Sequence, residues 1–179
     1  MKNRWTFFLI LSLLCTVFAC RDHKPIDVVQ TQQSQSVTEE DPLIKTNAKI
    51  VQLEDEEITL FIQRYGWEMQ KTESGLRYQI THATGGKIPK PGDEVVLKYV
   101  MKLLSGETVY TSTEDGLMTF KVEKSEAIPG LHEAVQLMRM GETARLVLPS
   151  HLAYGASGDG RMIGRYTPLA IIMEITEVK

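Results

Sequence analysis

Basic side chains are in short supply in this chain: Lys and Arg number 20 against 23 Asp and Glu, for a formal net charge of −3. A surface of that sign is a poor partner for nucleic acid, whose phosphates must be neutralised by an excess of cations. Cysteine is scarcer still, with Cys15 and Cys20 the two present. The four histidines, His23, His82, His132 and His151, are scattered, and the "HE" at His132 lacks the second histidine of a zinc helix. No metal site and no cofactor are therefore expected. Nor does any apolar run reach the ~20 residues of a membrane-spanning helix.

The longest apolar run opens the chain. "MKNRWTFFLILSLLCTVFAC" sets Lys2 and Arg4 before an apolar stretch from Trp5 to Ala19, the layout of an export signal over residues 1–19. "VFAC" resembles the lipobox of bacterial lipoproteins, although Phe18 stands where a small residue is usual. The resemblance implies that Cys20 becomes the first residue of the mature chain and is lipidated, which would hold it at a membrane. Removal of the signal takes Cys15 with it, so no internal disulfide is expected. Residues 20–49, including "VVQTQQSQSVTEEDP", carry no sustained apolar period and read as a flexible tether.

Periodicity appears next. Between Asp55 and Gln70, Ile58, Phe61, Ile62, Tyr65 and Met69 recur at spacings of three and four, and residues 50–71 are expected as an amphipathic helix weakened by Gly66. Its apolar face would pack on the following domain or, failing that, join two chains as a homodimer.

From Gly75 the period becomes two. Leu76, Tyr78 and Ile80 alternate with polar residues; Val95, Leu97, Tyr99, Met101 and Leu103 line one face of a longer strand after the turn "KPGD". Further strands are expected over 106–112, 118–123, "ETARLVLP" and "LAIIMEITEV". One helix interrupts them, starting at Pro129 and ending near Gly141, with Leu131, Ala134, Val135 and Met138 on one face. Antiparallel strands with one short helix make an α+β domain over 72–179.

The glycine-rich "HLAYGASGDGRMIG" imitates a phosphate-binding loop. Such a loop works only ahead of a helix. Here "RYTPLAIIMEITEVK" follows, and its Pro168 and β-branched run favour a strand.

Taken in order, "SGLRY", "GD" before "VVLKY", "SGE", "AIPGL", "MRMGE" and "AYGASG" resemble the motif series of FKBP-type peptidyl-prolyl isomerases. With the export signal and leading helix, the chain is similar to gliding-motility-associated FKBP-type lipoproteins. The resemblance implies a curved antiparallel sheet wrapped round one short helix, preceded here by an N-terminal helix. It also implies a shallow apolar cleft that binds X-Pro segments of exported polypeptides. Residue by residue, it implies Tyr99, Ile128 and Tyr154 as the catalytic set, with the Ile128 N–H and the Tyr154 hydroxyl donating to peptide carbonyls. Val109, Tyr110, Met118, Ala127, Leu131, Ile163 and Ile171 would bind substrate. The chain departs from the family where Phe-Asp usually follows the hairpin, here Val109-Tyr110, and where aromatic walls give way to Leu131 and Ile171. A less aromatic cleft implies modest isomerase activity, with a tethered binding module or chaperone as the rival reading. The implied setting is the bacterial cell envelope, lipid-anchored at the outer membrane and facing the periplasm.

Overall fold

The computed structural model describes residues 42–124 and 127–179; Cys20, the export signal and most of the tether lie outside them. Helix α1 runs Pro42–Tyr65, followed by strands β1 (Gln70–Lys71), β2 (Arg77–His82), β3 (Glu94–Leu103), β4 (Thr108–Thr111) and β5 (Met118–Lys121). Helix α2 (Pro129–Gln136), β6 (Thr143–Leu148), a 3-10 turn (Ser150–Leu152) and β7 (Leu169–Val178) complete the chain.

All strand pairs among the described residues are antiparallel, in the order β1-β2-β6-β7-β3-β4, with β5 also on β3. One edge of β3 is occupied along its length by β7. The other edge is shared: Glu94–Leu97 pair with β5 and Val100–Lys102 with β4. Register shifts between Ile80 and His82, Val96 and Leu97, and Met101 and Lys102 are the kind that bend strands and sharpen their twist.

Alternation puts Val95, Leu97, Tyr99 and Met101 of β3, Leu146 and Leu148 of β6 and Ile171 and Met173 of β7 on the face that meets α2. From α2 come Leu131, Ala134 and Val135, and from the turn just after it Met138. Eight residues are too few for a stable helix in water, so α2 depends on this burial.

The opposite face receives α1. Ile58 and Phe61 pack with Leu104, Val147 and Ala170 in a second apolar cluster flanked by Ile62, Trp67 and Met69. The face that sequence periodicity left between docking and self-association is thus covered by the chain's own sheet. Asp55 pairs with Lys71 at 2.8 Å and with the buried guanidinium of Arg77. Hydrogen bonds from Lys71 and then Arg77 hold the Asp55 carboxyl below its ordinary range.

Both helices depart from the sequence reading at their ends. Helix α1 begins at Pro42, inside the segment read as tether, and stops at Tyr65 rather than 71. Residues 44–49 are exposed, so no apolar stripe announces them as helical. Gly66, with φ +61°, ends the helix instead of weakening it: Trp67 N–H donates to the Ile62 carbonyl at 3.1 Å and its ring turns back onto Phe61. Helix α2 stops at Gln136, short of Gly141. There the Glu142 carboxylate accepts the Arg139 N–H at 2.8 Å, while Gly141 N–H donates to Ile175 at 2.7 Å and turns the chain into β6.

Gly130 sets how closely α2 approaches the sheet. A Cβ there would meet Leu148 Cδ2 at 2.6 Å and the Leu152 carbonyl oxygen at 2.9 Å. Although alanine has the higher helix propensity, Gly130→Ala is expected to destabilise the fold by about 1–3 kcal/mol through overpacking. Urea unfolding measures this, and a stabilised variant would contradict the close approach.

Candidate active site

At the N-terminal end of α2 the sheet leaves a cleft in two lobes. The first, of about 330 Å³, is lined by Tyr99, Met101, Tyr110, Asp115, Met118, Tyr154, Asp159 and Arg161. A second, of about 360 Å³, is lined by Met118, Thr119, Phe120, Ala127, Ile128, Leu131 and Tyr154. Met118 and Tyr154 belong to both and mark the junction. Volumes of this size suit a short peptide segment.

Ile128 stands at the cap of α2 with extended backbone, φ −61° and ψ 144°. Its carbonyl accepts the Leu131 N–H at 3.0 Å, while its own N–H has no partner among the described residues. An amide at a helix start has no intrahelical acceptor, so it is free to bind an incoming carbonyl.

Three tyrosines face the first lobe. Burial, then the negative charge of Asp159, pushes the Tyr154 hydroxyl above its ordinary pKa; burial, then Asp115, does the same for Tyr99. Tyr110 is raised first by its hydrogen bond to Asp159 and then by burial. All three are protonated donors at neutral pH. Tyr110 spends its proton on Asp159, whereas the Tyr99 and Tyr154 hydroxyls meet no acceptor among the described residues.

The glycine loop is folded round Asp159. Its Oδ1 accepts the N–H groups of Arg161 and Ile163, both at 2.8 Å, and its Oδ2 accepts the Tyr110 hydroxyl. Asp159 N–H donates back to the Ile163 carbonyl at 3.0 Å. Gly158 permits this closure: its φ is +70°, and a Cβ would fall 2.4 Å from the Ile163 oxygen. Arg161 lies over the Tyr110 ring, 5.6 Å from its centroid.

The family model for FKBP-type peptidyl-prolyl cis-trans isomerases matches residues 85–175, the span that carries this cleft. The chain belongs to that family. Among its relatives is the macrophage infectivity potentiator of Trypanosoma cruzi, 38% identical over 61% of this chain and 56% of that protein. The outer membrane protein MIP of Legionella longbeachae is 38% identical over 59% of this chain and 45% of that one. The crystal structure of FkpA from Escherichia coli superposes with a TM-score of 0.61 at 27% identity, covering 76% of this chain and 67% of that one. This FKBP-type chain spans about half the length of the curated relatives it matches.

Of the residues that the resemblance singled out, Tyr99, Tyr110, Met118 and Tyr154 face the first lobe, and Met118, Ala127, Ile128, Leu131 and Tyr154 the second. Val109, Ile163 and Ile171 belong to the same buried core as Tyr99, Ile128 and Leu131 but are not among the residues lining either lobe. Two carboxylates missing from that reading, Asp115 and Asp159, reach the first lobe, as does Arg161. The usual acidic position of the FKBP family is Tyr110 here, yet an acid returns from the glycine loop to bond it. Asp159 and Arg161 both stand in the "GDGR" of the glycine-rich loop.

Burial alone would raise the Asp159 carboxyl, but the bonds from Tyr110 and the Arg161, Ile163 and Met162 amides outweigh it and hold it below the ordinary carboxylate range. A depressed native pKa means that its contribution is complete above the unfolded value of about 3.9 and is lost as pH falls through the lower native value. Amide resonances of Arg161 and Ile163 followed against pH are therefore expected to move with a midpoint below about 3.9; a midpoint above it would contradict the arrangement.

Proposed function

We propose that the cleft catalyses cis-trans isomerisation of X-Pro peptide bonds. The observation that carries this reading is the convergence of three donors with no partner among the described residues, Ile128 N–H and the Tyr99 and Tyr154 hydroxyls, on a cleft that joins a polar-rimmed lobe to a mostly apolar one.

Amide resonance sets a barrier of about 20 kcal/mol to the rotation, while cis and trans differ by only about 0.5–1 kcal/mol. No nucleophile or proton acceptor is needed. The site must prefer the twisted imide to the planar one, and each 1.4 kcal/mol or so of that preference raises the rate tenfold. Water on the carbonyl of the residue before proline favours the charge-separated planar form, so its exclusion by Met118, Phe120, Leu131 and the tyrosine rings lowers the barrier. The Ile128 N–H and the Tyr154 hydroxyl hold flanking carbonyls, which fixes the chain while the bond turns. Tyr99 supplies a wall and a second donor. Val109, Ile163 and Ile171 act from below as packing that keeps the walls in place.

A second reading has its own support. With Leu131 at the floor and Ile171 buried beneath, the cleft offers a prolyl ring less aromatic surface, which weakens packing. A slow catalyst of this kind serves as a binding module that holds unfolded chains.

We further place the protein at the bacterial envelope, anchored through lipidated Cys20 at the outer membrane and facing the periplasm, where its clients are exported polypeptides. The lipobox-like "VFAC" supports this, as does a relative named an outer membrane protein. Leu53 and Leu60 remain exposed on α1, and a second copy would dock there.

Relaxation of short X-Pro peptides is expected to accelerate with the full chain, and Tyr154→Phe to lower kcat/KM about fivefold, the effect of one lost hydrogen bond. No acceleration, with aggregation of a denatured client still suppressed, would select the binding module. For the anchor, Cys20→Ser is expected to move the protein from the membrane fraction to the soluble one. Unchanged partition would remove Cys20 as the attachment point.

A further inference from the structure

Glu54 is a carboxylate on the face of α1 that meets the sheet, and only 6% of it is exposed. Nearby, Ile58 and Phe61 anchor the helix by apolar contact alone. Burying a charge among such residues is costly unless it is fully hydrogen-bonded. Both oxygens of Glu54 are spent on one partner: Oε2 accepts the Ser150 N–H at 2.8 Å and Oε1 accepts the Ser150 hydroxyl at 2.6 Å. Ser150 is itself 4% exposed and begins the 3-10 turn between β6 and the glycine loop.

From Ser150 the connection runs forward to the cleft. Its carbonyl accepts the N–H groups of Ala153 at 2.9 Å and Gly155 at 2.8 Å, the two neighbours of Tyr154. The Tyr154 hydroxyl makes no bond of its own among the described residues, so its place at the junction of the lobes depends on backbone and packing. No residue of α1 lines either lobe.

We propose that Glu54 is a positioning residue for Tyr154. By fixing Ser150 it fixes the two amides that bracket the tyrosine, and α1 thereby completes a cleft it does not touch. The proposal rests on the isomerase reading for its kinetic consequence, but its structural consequence stands apart from it.

The test is a double-mutant cycle in the full chain with a short X-Pro peptide. Glu54→Ala is expected to lower kcat/KM about fivefold in the wild-type background, the size of a lost capping interaction. In the Tyr154→Phe background it is expected to have almost no effect, because the group it positions is gone. Glu54→Gln, which keeps one acceptor, falls between. Equal losses in both backgrounds, or no loss, overturn the proposal. Amide hydrogen exchange gives a readout independent of catalysis: Ala153 and Gly155 are expected to exchange faster in Glu54→Ala while the core amides of β3 and β7 do not. Exchange that rises uniformly, or not at all, overturns it. Should Glu54→Ala fail to fold, Glu54→Gln and Ser150→Ala carry the same cycle. A wild-type chain without isomerase activity removes the functional reading, and the exchange measurement then decides this proposal alone.

Discussion

A two-turn helix cannot hold its shape in water, so α2 exists only while the sheet buries Leu131, Ala134 and Val135. The cleft is a by-product of that burial. Where α2 begins, the first amides lack intrahelical acceptors, and Pro129 at the first turn removes one donor that would otherwise need satisfying. What remains is the Ile128 N–H, opening onto a lobe whose floor is the same Leu131 that anchors the helix. Gly130 sets the spacing, since any side chain there would push α2 off Leu148 and Leu152. Stability and the capacity to grip a peptide therefore come from one contact.

The other side of the cleft is built by a different device. The stretch from Gly155 to Gly164 has no sheet partner to satisfy its backbone, and Asp159 takes over that role from inside the loop. Its carboxylate does double duty by bonding Tyr110, so the loop is tied to β4 as well as to itself. That arrangement leaves a charge in the lobe of the cleft that also holds Asp115 and Arg161, while the other lobe stays mostly apolar. The charge costs the chemistry little, because isomerisation calls for hydrogen-bond donors and excluded water rather than for a base. Burial, and then the negative charge of Asp159 and Asp115, keeps the protons of the Tyr154 and Tyr99 hydroxyls in place and reinforces their role as donors.

Elements whose burial follows a simple period were legible before the structure. In β3, Val95, Leu97, Tyr99 and Met101 point one way as alternation requires, and the face of α2 was plain from Leu131, Ala134, Val135 and Met138. Helix ends were not, because they are set by contacts that no apolar period encodes: the Glu142 carboxylate beyond the end of α2, and the Trp67 ring folding back on α1. The site divides the same way. Tyr154 and Ile128 stand out through the family resemblance, whereas Asp159 and Arg161 acquire meaning only once the loop brings them to Tyr110 across 49 residues of sequence. Val109, Ile163 and Ile171 were legible as apolar, but a linear motif does not distinguish the wall of a cleft from the core just beneath it.

The sheet is loaded on both faces, which changes how α1 should be regarded. Arg77 sits on β2 between residues that point into the main core, and alternation sends it to the face where solvent would ordinarily receive it. Instead α1 covers it, and Asp55 supplies the charge that makes its burial tolerable. Glu54, one residue earlier on the helix, does the reciprocal service for Ser150. Adjacent acids thus secure two paired strands, one through β2 and one through the turn that follows β6. A helix held only by Ile58 and Phe61 could slide or roll on the sheet at little cost, since apolar contact is not directional. These polar bonds are directional, and they fix α1 at the place where the backbone leading to Tyr154 begins. The helix is therefore part of the architecture that shapes the cleft rather than a spacer that happens to precede it.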